Sequence, residues 1–148
     1  MQQFDLAFTS HDSKKEELVQ LVRTHKEAME KYCLVATRNT GRMIQHGTGL
    51  SVAQMHSGTL GGYQQLSSLV ASGNVKAVIF LEDPLIVHPA LDDIAALKRI
   101  CNIRNIPFAS NVASAEAVLH FFFKSIPAHT IDCKLPELTR SLSGSCTR

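Results

Sequence analysis

Short apolar runs alternate along this chain with longer stretches whose apolar residues recur at helical spacing. FDLAFT (Phe4 to Thr9) reads as a strand, and SKKEELVQLVRTHKEAMEKY after it as one amphipathic helix with Leu18, Leu21, Val22 and Met29 on its inner side. CLVAT reads as the second strand, NTGRMIQHGTG as a short helix closed by glycine, and LSVAQM as the third strand. LGGYQQLSSLVASG predicts a helix ending at Gly73. KAVIFL (Lys76 to Leu81) is a continuous apolar run, the pattern of a central parallel strand covered on both faces. After the turn EDPL come a helix over Asp92 to Cys101, a fifth strand in IPFAS and a last helix in VASAEAVLHFFF. The alternation predicts an α/β fold: one doubly wound domain over residues 1–148, its five-stranded, mainly parallel sheet flanked by helices.

In such a sheet the ligand crevice lies beyond the carboxyl ends of the strands, which directs attention to the segments that follow them. These are Ser10 to Lys15, Thr37 to Gly41, the glycine loop from Ser57, Glu82 to Pro84, and Ser110 with Asn111. Glycines without side chains let backbone N–H groups approach an anion, and a helix start adds its own unpaired N–H groups. Lys15, the hydroxyls and two helix starts therefore predict a phosphate cradle. Most Gly-Gly pairs are ordinary turns, and helix capping explains Thr37 and Thr40 as well as ligand binding does. A bulky phenol, Tyr63, stands where the chain leaves the glycines.

Composition narrows the classes of function. Lys and Arg number 15 against 13 Asp and Glu and are scattered, so no nucleic-acid footprint is expected. The richest apolar run, Val75 to Leu85, is interrupted by Lys76, Glu82, Asp83 and Pro84, well short of the ~20 apolar residues of a membrane span. MQQFDLAFTSHD has the marks of no secretory signal, and a cytoplasmic location is expected. Cys33, Cys101, Cys133 and Cys146 lack C-x-x-C spacing, which predicts reduced thiols and no metal site.

HDSKK, ATRNTG, SGTLGGYQQ, DPL and IPFASNVASAE, in that order, resemble the methylglyoxal synthase family. That family carries H-D-x-x-K, T-G-T-T-G, S-G-P-x-G-G-D-Q, a D-P-L turn followed by P-H-x-x-D, and I-P-x-A-T-N-x-A-[ST]-A. The resemblance runs from about Phe4 to Leu119 and leaves a divergent tail from about Pro127 to Arg148. It implies a single doubly wound domain assembled as a hexamer. The implied reaction is a bypass of glycolysis, converting dihydroxyacetone phosphate into methylglyoxal and inorganic phosphate without metal or organic cofactor. The same fold also serves as a regulatory domain in carbamoyl phosphate synthetases and a catalytic domain in purine biosynthesis, so fold alone does not decide function.

Matched position by position, the resemblance gives phosphate binding to Lys15, Thr37, Thr40, Ser57 and Gly58, with Asn39 where the family usually has threonine. His11, accompanied by Asp12, matches a histidine that contacts substrate. Two positions depart from the pattern. Tyr63 occupies the place of the catalytic aspartate, and Ala90 the place of a histidine that polarises the substrate oxygens, while Asp93 matches a second aspartate. His88 lies two positions before Ala90. Two readings follow: a weakened or altered enzyme with Asp93 as base and His11 as electrophile, or a non-catalytic regulatory protein that binds phosphate or a small phosphorylated metabolite. Either is expected to form a homo-oligomer.

Overall fold

The computed structural model describes residues 2–128. Five parallel strands, β1 (Leu6–Ser10), β2 (Leu34–Ala36), β3 (Val52–Gln54), β4 (Ala77–Leu81) and β5 (Phe108–Ala109), form one sheet in the order β3-β2-β1-β4-β5. β1, the middle strand, and its neighbour β4 are buried at every residue, as expected of strands covered on both faces. Their register, from Leu6 opposite Ala77 to Ser10 opposite Leu81, brings both carboxyl ends level. Strand order reverses between β1 and β4, so this is the switch point at which a doubly wound sheet opens its crevice.

Helices α1 (Lys15–Thr24), α2 (Lys26–Met29), α3 (Arg38–Thr48), α4 (Gly62–Ala71), α5 (Leu91–Ile103) and α6 (Val112–Ser125) cover the two faces. Leu18, Leu21 and Val22 of α1, Ile44 of α3 and Leu119 and Phe122 of α6 pack with Leu6, Phe8 and Ile79 in one core. Leu66 and Val70 of α4 and Ile94 and Leu97 of α5 pack with Ala7, Val78 and Phe80 in the other. Tyr63 belongs to this second core.

The helix expected from Ser13 to Tyr32 breaks at His25, whose backbone (φ −107°, ψ 17°) leaves the helical region. His25 Nε2 meets Glu116 Oε2 of α6 at 2.6 Å, and beyond the break Met29 turns wholly into the core. Tyr32 donates its hydroxyl to the Ile126 carbonyl at 2.7 Å. The aromatic run at the end of α6 divides: Phe122 is fully buried, whereas Phe121 is exposed. Cys101 is a free, buried thiol, while Cys133 and Cys146 lie outside the described residues. The divergent tail falls outside the described residues beyond residue 128.

Candidate active site

The carboxyl end of β1 delivers Thr9 and Ser10 to the switch point, and the chain then folds into a short 3-10 turn, Asp12–Lys14, before α1. Lys15 opens α1 with its ammonium held over the strand end: Nζ donates to the Ser10 carbonyl at 3.1 Å and pairs with Asp12 Oδ1 at 3.0 Å. The Asp12 side chain is 95% exposed, and Lys15 beside it holds its carboxyl below the ordinary range. Lys15 is largely buried but Asp12 is solvated, so water can take over the carboxylate when an incoming anion replaces it at the ammonium.

Thr37 follows β2 directly and stands at the N-cap position of α3, yet its side chain caps nothing. Its hydroxyl instead meets Thr9 Oγ1 at 2.9 Å and donates to Thr40 Oγ1 at 3.3 Å. Ser57, ahead of the second 3-10 turn (Gly58–Leu60), is likewise free of a capping bond. Asn111 shows the contrast, since it accepts from the Ser114 N–H at 2.8 Å in a complete capping box. Gly61 bridges the second turn to α4 at φ +99°, a conformation natural to glycine. At Gly58 the need is space: an added Cβ would lie 2.7 Å from the Tyr63 hydroxyl oxygen.

Thr9, Ser10, Asp12, Lys15, Thr37, Asn39, Ser57, Gly58, Thr59, Tyr63 and His88 enclose one cavity of about 130 Å³. Tyr63 is 3% exposed, with its ring stacked on Phe80 at a centroid distance of 5.5 Å. Burial pushes its phenol up to about 12 against the opposing hydrogen bond with Thr9, and the charges of Asp12, Asp93 and Glu82 add to the rise. The phenol therefore keeps its proton at neutral pH. His88 forms the wall beside it, its Nδ1 accepting the Ala90 N–H at 3.1 Å. His11 lies flat against His88, with centroids 4.7 Å apart and planes 8° from parallel. His11 Nδ1 accepts the Asp83 N–H at 2.7 Å, which leaves the proton of the neutral ring on Nε2. Burial lowers the His11 pKa, aided by charge repulsion from His88 and opposed by Glu82 and Asp83.

The MGS-like domain family matches residues 17–110. The chain belongs to this family. A methylglyoxal synthase of Thermus thermophilus is 44% identical over 122 residues, covering 82% of this chain and 97% of that protein. Methylglyoxal synthase of Moorella thermoacetica is 48% identical over 116 residues, 78% of this chain and 91% of its own. The crystal structure of methylglyoxal synthase from Elizabethkingia anophelis superposes with a TM-score of 0.74 at 38% identity, over 79% of this chain and 77% of that one.

Within this MGS-like domain the residues matched to phosphate binding converge. Lys15, Thr37, Asn39, Ser57 and Gly58 share the cavity wall, and Thr40 supports it from behind through Thr37. The residues matched to acid-base work are spread wider. Tyr63 is in the wall; Ala90 is buried ahead of α5 and Asp93 sits half-buried in its first turn, neither of them lining the cavity. His11 is also outside the lining, with His88 in its place. Ser10 and Thr59, which belong to the segments after β1 and β3, are in the wall, and so is Thr9, which the sequence marked only as the last residue of the first strand; its place near the end of β1 was the available signal. Among the described residues no three His, Cys, Asp or Glu side chains are grouped to hold a metal ion, and no helix is long and apolar enough to cross a membrane.

Proposed function

We propose that the cavity binds dihydroxyacetone phosphate or inorganic phosphate, and that this chain converts the former into methylglyoxal and phosphate only slowly. One observation carries the reading: Lys15, hydroxyls and a glycine turn share a cavity with a protonated phenol where the family pattern has a carboxylate. A phosphate entering there takes the Lys15 ammonium from Asp12 and accepts from Thr37, Asn39 and Ser57. The reaction then requires removal of a proton from the carbon beside the carbonyl. The resulting enediolate expels phosphate with the electron pair of the bridging C–O bond and leaves the enol of methylglyoxal.

Tyr63, with a pKa of about 12, is a donor to an oxyanion and no base at neutral pH. Asp93 remains the candidate base, its charge felt by Tyr63 from outside the cavity lining. Asp12 is in the wall, but the pairing that depresses its pKa also weakens it as a base. A missing positioned base costs about 10² to 10⁴ in rate. The protonated Tyr63 also favours the second reading, a regulatory protein that binds a phosphorylated metabolite without turning it over.

The deciding experiment incubates the full chain with dihydroxyacetone phosphate, follows methylglyoxal colorimetrically, and measures phosphate binding by calorimetry in parallel. Slow turnover with binding supports the enzyme, and binding without turnover supports the regulator. Failure to bind phosphate removes both, while turnover matching the Thermus thermophilus enzyme removes the slow-enzyme reading. The proposal includes a homo-oligomer: Leu60 (74% exposed) and Leu85 and Val87 (92% and 95%) leave apolar surface on the loops bearing Gly58 and His88. Light scattering is expected to find a mass above that of a monomer.

A further inference from the structure

The phosphate-binding side chains account for only part of the cavity wall. Ser10 is 4% exposed and lines the cavity, yet its Oγ has no hydrogen-bond partner. A buried hydroxyl left unpaired is unfavourable by itself, so it calls for a group that it can bind. His88 is the imidazole in the wall, and three contacts fix its ring: the Ala90 N–H on Nδ1, the parallel His11 ring, and the Tyr63 edge at 6.0 Å. With Nδ1 already accepting, the proton of the neutral ring sits on Nε2, making that nitrogen a donor.

We propose that His88 and Ser10 hold the oxygens at the carbon end of a bound phosphoester, taking the part that the family pattern gives to the position of Ala90. This inference rests on the phosphate-binding reading above. It deepens that reading by assigning the ligand a class: a short phosphoester with a carbonyl, hydroxyl or carboxylate oxygen two or three bonds from the phosphate oxygen. His11 is then a positioning residue. Its ring, braced edge-on by Phe80 at 5.4 Å, lies outside the cavity lining and stacks on His88, and its buried Nε2 lacks a hydrogen-bond partner as Ser10 Oγ does. Ala90 contributes through its backbone N–H, which orients the imidazole.

The test compares inorganic phosphate with 2-phosphoglycolate, whose planar carboxylate imitates an enediolate, by calorimetry on the full chain. In the unaltered protein phosphoglycolate is expected to bind more tightly than phosphate. Ser10→Ala and His88→Ala should each weaken phosphoglycolate by about tenfold to a hundredfold, the loss of a hydrogen bond to a charged group, and leave phosphate within about twofold. His88→Gln, which retains a donor, should recover part of the loss. If the unaltered chain binds neither ligand, the phosphate-binding reading falls and this inference with it. If phosphate binds but phosphoglycolate gains nothing over it, or neither variant weakens phosphoglycolate, the assignment of His88 and Ser10 alone is overturned. Should His88→Ala fail to fold, Ser10→Ala decides, because removal of an unpaired hydroxyl does not threaten the fold.

Discussion

The two sides of the cavity depart from the family pattern to different degrees. On the phosphate side Lys15, Thr37, Ser57 and Gly58 keep the matching residue types, and Asn39 replaces one hydroxyl by another hydrogen-bonding group. On the acid-base side a buried phenol and an alanine stand in for a carboxylate and an imidazole, and among the described residues the only imidazole in the wall is His88. Anion binding at strand ends draws on many donors, so it tolerates the loss or exchange of one. Proton transfer depends on one group having a suitable pKa, and a single substitution removes it. Binding and turnover are therefore separable in this fold, and each prediction below tests that separation.

The largest effect is expected from Tyr63→Asp, which returns a carboxylate to the wall and should raise methylglyoxal formation by about 10² to 10⁴. The substitution also removes a ring stacked on Phe80, so stability should fall by about 3–5 kcal/mol, the range for deleting a buried aromatic side chain. Assays belong well below the lowered Tm for that reason. Adding Ala90→His should bring little further gain, because His88 already supplies the imidazole. A phosphate-binding Tyr63→Asp protein with no gain in rate would show that the acid-base side has diverged beyond this position. Next in size, Lys15→Met should weaken phosphate about tenfold to a hundredfold by calorimetry, the value of a charge-assisted hydrogen bond. An unchanged affinity would place the anion elsewhere.

Most of the fold was legible because each element has an unambiguous apolar period. LAFTS and AVIFL are central strands for the reason their composition suggests, since both faces are covered. The break at His25 was not legible: helical spacing continues through it, and its cause is a partner on α6, Glu116, 91 residues away. On the phosphate side the strand-end rule was sufficient, as local chain geometry carries Lys15, Thr37 and Ser57 to the switch point. On the acid-base side it was not. Matching residues in register draws attention to Ala90 and Asp93, whereas the path of the loop before α5 brings His88 into the wall. Thr9 reads as the end of an apolar strand, and only the cavity distinguishes it from the core residues of that strand.

A smaller effect tests whether the two sides are mechanically joined. Gly58 carries no side chain where the Tyr63 ring lies against it, so Gly58→Ala should force the loop or the ring to shift and destabilise by about 1–3 kcal/mol. The same change in a Tyr63→Asp background should cost less, since the ring is gone. Denaturant melts of the four proteins in this cycle measure the coupling, and strict additivity would mean that the glycine and the phenol act independently.

The smallest expected effect is a pH dependence confined to the acid-base side. Burial and His88 lower the His11 pKa below its ordinary 6.5, so the folded protein takes up its proton at lower pH than the unfolded chain does. Between those two values the unfolded state binds more protons, and stability falls as the pH falls. The neutral imidazole's contribution is complete above about pH 6.5 and is progressively lost as the pH drops through the lowered value. Glu82 and Asp83 face the same ring and narrow the window without reversing the sign, because burial is the largest cause of the shift. Asp12, on the phosphate side, has its pKa lowered from 3.8, so its contribution is lost only in stronger acid. Denaturation midpoints at pH 7.5, 6.5 and 5.5 should therefore decline more steeply for the unaltered chain than for His11→Asn, whose amide oxygen can still accept the Asp83 N–H but carries no titrating proton. Equal slopes for the two proteins would mean that His11 does not set this dependence.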